Sequence, residues 1–196
     1  PCVRFHGGIM NSKDRMKRAF GQAPGEPDRV PFQFDLCRQL IEELSARYSM
    51  DPDFSWSYYE DLSFRVSANE LRTRMGSDAI VVGGQVASEF TPERIAENVT
   101  TNEFGMHMKP TDLYVEVVKA PLEGIESVDE VEAYRFPDPF AKGRFEKARR
   151  DVETLGADHY VIGEVEITIF ELAWHLTGME TYLMGIASGD PWVAAL

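Results

Sequence analysis

The spacing of hydrophobic residues changes several times along the chain, and each change marks an element. Tyr160–Val165 is a short, β-rich run, as expected of a strand buried on both faces. Directly after it, Ile169, Leu172, Ala173 and Leu176 recur at three- and four-residue spacing, which predicts a helix that Gly178 stops. Two further runs, 29–34 and 78–83, read as strands, each with a helix after it. Pro31 lies near the start of the first, where a missing N–H does least harm.

The helices have their own signals. Ser12 is placed to cap a helix to about Gln22, with Met16, Ala19 and Phe20 as its apolar stripe and the surrounding Lys and Arg as a solvated face. A second helix is predicted over 38–47, and Ser67-Ala-Asn-Glu70 and Ser127-Val-Asp-Glu130 read as capping boxes for two more. Phe145, Ala148, Val152 and Leu155 repeat at helical spacing before Gly156. Met179, Leu183 and Ile186 continue the helical pattern, and Asp190-Pro191 opens a last helix. Between the helical parts, residues 99–118 have the β-rich character of an antiparallel ribbon around a Lys109-Pro110-Thr-Asp112 turn. Strands alternating with helices predict an α/β fold with a parallel sheet. Three strands with open edges, and a final helix of barely one turn, read as the N-terminal half of a closed (β/α)8 TIM barrel. On this reading 1–10 is an extended leader and 11–196 a partial barrel carrying the ribbon insert.

Composition narrows the function classes. Twenty Lys and Arg against 33 Asp and Glu give a net charge of -13, a surface that repels a phosphate backbone and argues against nucleic acid. No apolar run is long enough to span a membrane, and no basic-then-apolar signal pattern opens the chain. Two cysteines, Cys2 and Cys37, cannot form a disulfide framework, so a reducing cytoplasm is expected. Cys37 reads as a buried small residue. The four histidines show no zinc-site spacing.

The ends of parallel strands gather loops and helix N-termini, so they are where a site is expected. Glu164 and Glu166 stand there, two residues apart and therefore on one face of an extended strand. If that face is the barrel interior, they sit together in the mouth and the like charges raise one pKa; the simpler role for Glu166 is at the start of the following helix. Asp35, after the first strand, is either a site carboxylate or a helix cap. Gly83-Gly84-Gln85, after the second, either lets a ligand approach the backbone or makes a tight turn. Neither phosphate-loop pattern is present. Trp56, Tyr58 and Tyr59 form an aromatic cluster that lines a pocket or packs under a loop. Glu171 and His175 are an ordinary i, i+4 helix pair before they are metal ligands.

These landmarks carry a resemblance. Asn11-Ser-Lys-Asp-Arg-Met-Lys-Arg-Ala-Phe20 followed by Pro27-Asp-Arg-Val-Pro31 resembles the opening of the uroporphyrinogen decarboxylase superfamily. Thr101-Asn-Glu-Phe-Gly105, Ala120-Pro-Leu122, Tyr134-Arg-Phe-Pro-Asp138 and Gly178-Met-Glu180 are similar to stretches of its less characterised branches. The likeness spans about 11–196, the N-terminal half of a usual member, and implies a TIM barrel with its site at the C-terminal mouth. Decarboxylases of the family carry an arginine-rich stretch after the first strand and an aspartate after the second. Here those turns read Gln33-Phe-Asp-Leu-Cys-Arg38 and Val82-Gly-Gly-Gln85, and Trp174 takes the place of an expected tyrosine. The resemblance therefore favours the other branch, methyltransferases that move a methyl group between a small methylated substrate or thiol and a corrinoid (cobalamin), which a partner protein carries. Zinc, where the branch uses it, would take ligands outside this sequence. The implied residues are Glu164, Glu166 and Asp35 for catalysis. Arg38, Gly83, Gly84, Gln85, Phe34 and Trp174 are implied for substrate binding. A homodimer is compatible with the reading. The alternatives are a decarboxylase of uroporphyrinogen or another acidic substrate, and an inactive fragment.

Overall fold

Val81 and its neighbours explain much of the arrangement around them. In the computed structural model, which describes residues 10–54, 64–111, 115–165 and 168–196, the β-branched run Ala79–Gly83 is strand β1. It pairs in parallel with Tyr160–Glu164, which is strand β6 once the four intervening strands are counted, in the register Ala79↔Tyr160 to Gly83↔Glu164. Ala79, Ile80 and Val81 are buried, as the continuous apolar run requires. Helices α1 (Ser12–Ala19), α2 (Arg38–Arg47), α3 (Asn69–Arg74) and α5 (Glu146–Leu155) belong to the same unit, built from residues 10–54, 64–85 and 145–164. Its apolar core joins Leu36, Ile41, Ala68 and Leu71.

Residues 29–34, expected to be a third parallel strand, are not a strand. The stretch makes a backbone bond where Asp78 N–H reaches Phe32 O at 2.9 Å, but the Phe32 N–H is taken by the Asp78 carboxylate at 3.0 Å. Further along β1, the Val81 N–H and C=O are both bound by the Asn69 side chain, at 3.0 and 2.8 Å. Ser77 Oγ holds Ala79 O at 2.8 Å. Side chains thus fill the positions that a further strand would use, and Pro31 has no N–H to offer. The described residues form no closed barrel: the sheets are one parallel pair and one antiparallel set of four.

Several local readings also change. Asn11, not Ser12, caps α1, accepting the Asp14 N–H at 2.7 Å, and the helix ends at Ala19. Arg15 does not lie on a solvated face; it is buried against Asp78, which is fully enclosed, and Asp28. Arg29 is the second cation on Asp78, at 2.7 Å. Ser67 does not open a capping box, because Ala68 adopts the left-handed conformation (φ 53°) at the N-cap and gives its N–H to Asp53 at 2.9 Å. Cys37, placed at the N-cap of α2, is exposed. The Ser127–Glu130 capping box and the Gly156 stop are present as predicted.

The second unit, residues 86–144 and 165–196, contains the expected ribbon in enlarged form. Strands β2 (Arg94–Ala96), β3 (Val99–Thr101), β4 (His107–Pro110) and β5 (Val115–Lys119) form an antiparallel sheet in sequence order. Helices α4 (Val128–Ala133), α6 (Ile169–Thr177), α7 (Met179–Ser188) and α8 (Pro191–Ala195) complete it. Phe104, Met106 and Met108 pack with Leu176, while Ile125, Val131 and Ala173 pack with Tyr182 and Trp192. Gly178 separates α6 from α7 at φ 88°, a conformation that disfavours other residues. Among the described residues, no helix is long and apolar enough to cross a membrane.

Candidate functional site

Parallel register places Gly83 beside Glu164 at the C-terminal edge of the β1–β6 pair. A Cβ added at Gly83 would lie 3.0 Å from Val66 Cγ1 and 3.1 Å from the Glu164 carbonyl, so close strand packing accounts for this glycine. Gly84 and Gln85 follow, both half-buried. Glu164 Oε1 is 3.1 Å from Arg65 Nη1, and their side chains are 22% and 40% exposed, which leaves the pair reachable from solvent.

Arg65 is held there by its own backbone. Its carbonyl accepts from Arg72 Nη2 at 2.6 Å, and the same guanidinium group holds Ser67 O and Asn69 Oδ1, each at 2.8 Å. The other nitrogen, Nη1, reaches Phe34 O at 3.3 Å and Asp35 Oδ1 at 3.1 Å. One buried arginine therefore ties the segment carrying Asp35 to the turn carrying Arg65. Burial lowers the Arg72 pKa, and the Asp35, Asp53 and Asp151 carboxylates oppose that shift. Asp35 also accepts from Gln33 Nε2 at 2.8 Å, so it is a partner of Arg72 and not the cap of α2.

Arg38, in the first turn of α2, is exposed and has no carboxylate partner among the described residues. Its guanidinium lies 4.8 Å from the Phe54 ring centre and 5.9 Å from that of Phe64. A cation beside an aromatic ring keeps its N–H donors, which an exposed guanidinium can offer to an anion. Phe34 is half-buried, its ring centre 6.0 Å from that of Phe32.

Of the residues expected to form the site, Phe34, Asp35, Arg38, Gly83, Gly84, Gln85 and Glu164 belong to this first unit. Trp174 belongs to the second, where it packs with the Ile125–Val131 cluster and meets the His175 ring edge-on at 3.6 Å. Glu166, the proposed partner of Glu164, lies outside the described residues, as do Trp56, Tyr58 and Tyr59. Burial pushes the His175 pKa down to about 4, so its ring is neutral at physiological pH. Among the described residues, no three His, Cys, Asp or Glu side chains converge as a metal site would require.

Arg65, Asn69 and Arg72 have no counterpart in the sequence reading. Isolated arginines and asparagines read as surface residues, and the one available signal was the adjacency of Arg65 to Phe64 after an aromatic-rich stretch. The first unit offers two solvent-exposed guanidinium groups, Arg38 and Arg65, and two carboxylates, Asp35 and Glu164. Such a set can grip a carboxylate-bearing molecule through paired N–H donors and orient a polar or cationic part of it through Glu164. Set against family models, curated proteins and solved structures, the chain matches none of them.

Proposed function

We propose that the chain is a member of the uroporphyrinogen decarboxylase superfamily whose β1–β6 pair is part of a TIM barrel, and that it takes part in corrinoid-dependent methyl transfer. The observation that supports a site here is the solvent-reachable Glu164–Arg65 pair at the end of parallel strands, in the same unit as Arg38, which has no carboxylate partner among the described residues. Arg38 and Arg65 bind an anionic part of a small methylated substrate, and Glu164 orients it and accepts a proton where the acceptor is a thiol. The corrinoid, bound on its carrier protein, supplies the metal centre that gives or receives the methyl group. No residue of this chain is assigned to hold it. No three converging ligands occur among the described residues, and no step is routed through zinc.

The preference for methyl transfer rests on Gly83-Gly84, where decarboxylases of the family would carry an aspartate, and on the lack of an arginine run after residue 34. The decarboxylase reading draws support from Arg65, a second guanidinium that suits a polyacidic substrate. Two assays separate the readings. Incubation with methylcobalamin and a thiol, followed by the absorbance change on demethylation, should show turnover that Glu164→Gln reduces at least tenfold. Release of carbon dioxide from uroporphyrinogen without any demethylation would favour the decarboxylase. Neither activity, in a chain that melts cooperatively, would overturn both.

A further inference from the structure

Phe64 and Ala68 bracket the turn that carries Arg65, and both have left-handed backbone, at φ 46° and 53°. Neither is glycine. In that region the Cβ crowds the following carbonyl, so such a conformation persists only where surrounding groups impose it. We infer that residues 64–68 are a strained strap with two states, one holding Arg65 on Glu164 and one releasing it. Its use in regulating the edge rests on the site reading above; the strap itself does not.

The groups that impose the strained state come from outside the strap. Asp53 Oδ2 accepts the Ala68 N–H at 2.9 Å, and Arg72 Nη2 donates to Arg65 O and Ser67 O at 2.6 and 2.8 Å. Within the strap, the Ser67 N–H closes the turn on Phe64 O at 2.9 Å. The Ala68 methyl adds packing beside Leu36, Ile41 and Leu71. Arg72 is buried, whereas the Asp53 side chain is 36% exposed and shares its Oδ2 with Lys147 Nζ at 3.1 Å. Asp53 is therefore the hold that gives way first. When it does, Ala68 leaves the left-handed region, and the turn draws Arg65 from Glu164. That pair is partly exposed, and its attraction is weak enough for backbone strain to oppose. In the held state Arg65 and Glu164 neutralise each other; release separates them, as an anionic ligand for Arg65 requires.

The test is amide hydrogen exchange in the 196-residue chain, read at Ser67 and referred to Ile80 in β1. Asp53→Ala should speed exchange at Ser67 at least tenfold relative to Ile80. Glycine adopts positive φ without crowding, so Ala68→Gly should slow Ser67 at least twofold, alone and in the Asp53→Ala background. Glu164→Gln removes the charge that helps to hold Arg65 and should speed Ser67 about two- to fivefold. Ser67 unmoved by Asp53→Ala or by Glu164→Gln, or not slowed by Ala68→Gly, would overturn the inference. Where Asp53→Ala speeds Ser67 and Ile80 alike through general unfolding, Ala68→Gly and Glu164→Gln decide. None of these readouts involves turnover, so a chain inactive in methyl transfer leaves the strap standing, and an unmoved strap leaves the activity to its own assays.

Discussion

Asn69 offers the sharpest test of how the first unit holds together. Its amide has two N–H donors and two acceptor lone pairs, and all four positions are used. Nδ2 donates to Val81 O and to Asp151 Oδ2, each at 2.8 Å, while Oδ1 accepts from Val81 N at 3.0 Å and from Arg72 Nη2 at 2.8 Å. Asn69→Ala would strand the N–H and C=O of Val81 inside the protein. At roughly 1–3 kcal/mol for each buried unsatisfied group, the loss is about 2–6 kcal/mol, a large part of the ~5–15 kcal/mol of a typical domain. Arg72 and Asp151 keep other partners and add less. Asn69→Asp keeps the shape and both Oδ1 bonds but turns the donor toward Val81 O and Asp151 into a negative oxygen. It should be the worse of the two at pH 7, with the gap narrowing as the new carboxyl protonates. Urea denaturation measures the loss, with an unchanged m-value if the fold is retained. Hydrogen exchange at the Val81 amide measures it locally, about tenfold faster for each 1.4 kcal/mol. A loss below about 1 kcal/mol in Asn69→Ala, with Val81 still protected, would refute the account of why residues 29–34 do not join the sheet.

Three further outcomes follow from the ionic groups. Asp78→Asn removes the charge facing buried Arg15, and breaking such a pair costs about 3–5 kcal/mol; retention of Asp28 as a partner places the value near the lower end, a fall of roughly 6–12 °C in Tm by calorimetry. Burial alone would raise the Asp78 pKa, but bonds from Arg29, the Phe32 N–H and Arg15 hold it below its ordinary value, so its contribution is complete above about pH 4 and is lost as pH falls through the folded value. For Arg65–Glu164, the partial exposure limits the coupling to about 0.2–1 kcal/mol in a double-mutant cycle, and a larger value would mean that the pair is shielded from water. His175 binds a proton near pH 6.5 when unfolded but at about 4 when folded, so stability should fall as pH drops from 6.5 to 4 and level off below. The upper bound is about 3 kcal/mol, reduced by the partial exposure of the ring; His175→Gln should flatten that interval, and an NMR titration midpoint above 6 would contradict the burial argument.

Which parts of this fold could be read in advance depends on whether a residue's role is local. Apolar spacing located α5, α6 and both partners of the parallel pair, because helical and strand periodicity report burial within a few residues. The 29–34 stretch has the same apolar character, yet its fate was decided elsewhere, by an asparagine 35 or more residues downstream that binds the Val81 backbone and by an aspartate that takes the Phe32 N–H. Polar side chains standing in for a strand leave no periodic trace. The candidate site divides along the same line. Glu164 and Asp35 drew attention from their positions beside predicted strands, and Arg38 through the resemblance, whereas Arg65 depends on Arg72, whose Nη2 donates to its carbonyl. Arg72 in turn is readable only once three separate segments, 34–35, 65–67 and 69, are known to surround one guanidinium group. Arg72→Lys is thus the substitution that separates a surface role from a structural one: a single ammonium cannot span the fork of bonds. It should loosen the Asp35 and Arg65 segments together, seen as a joint rise in amide exchange at residues 35 and 65–67. Exchange that rises in one segment alone would mean that the two sides of the site are held independently.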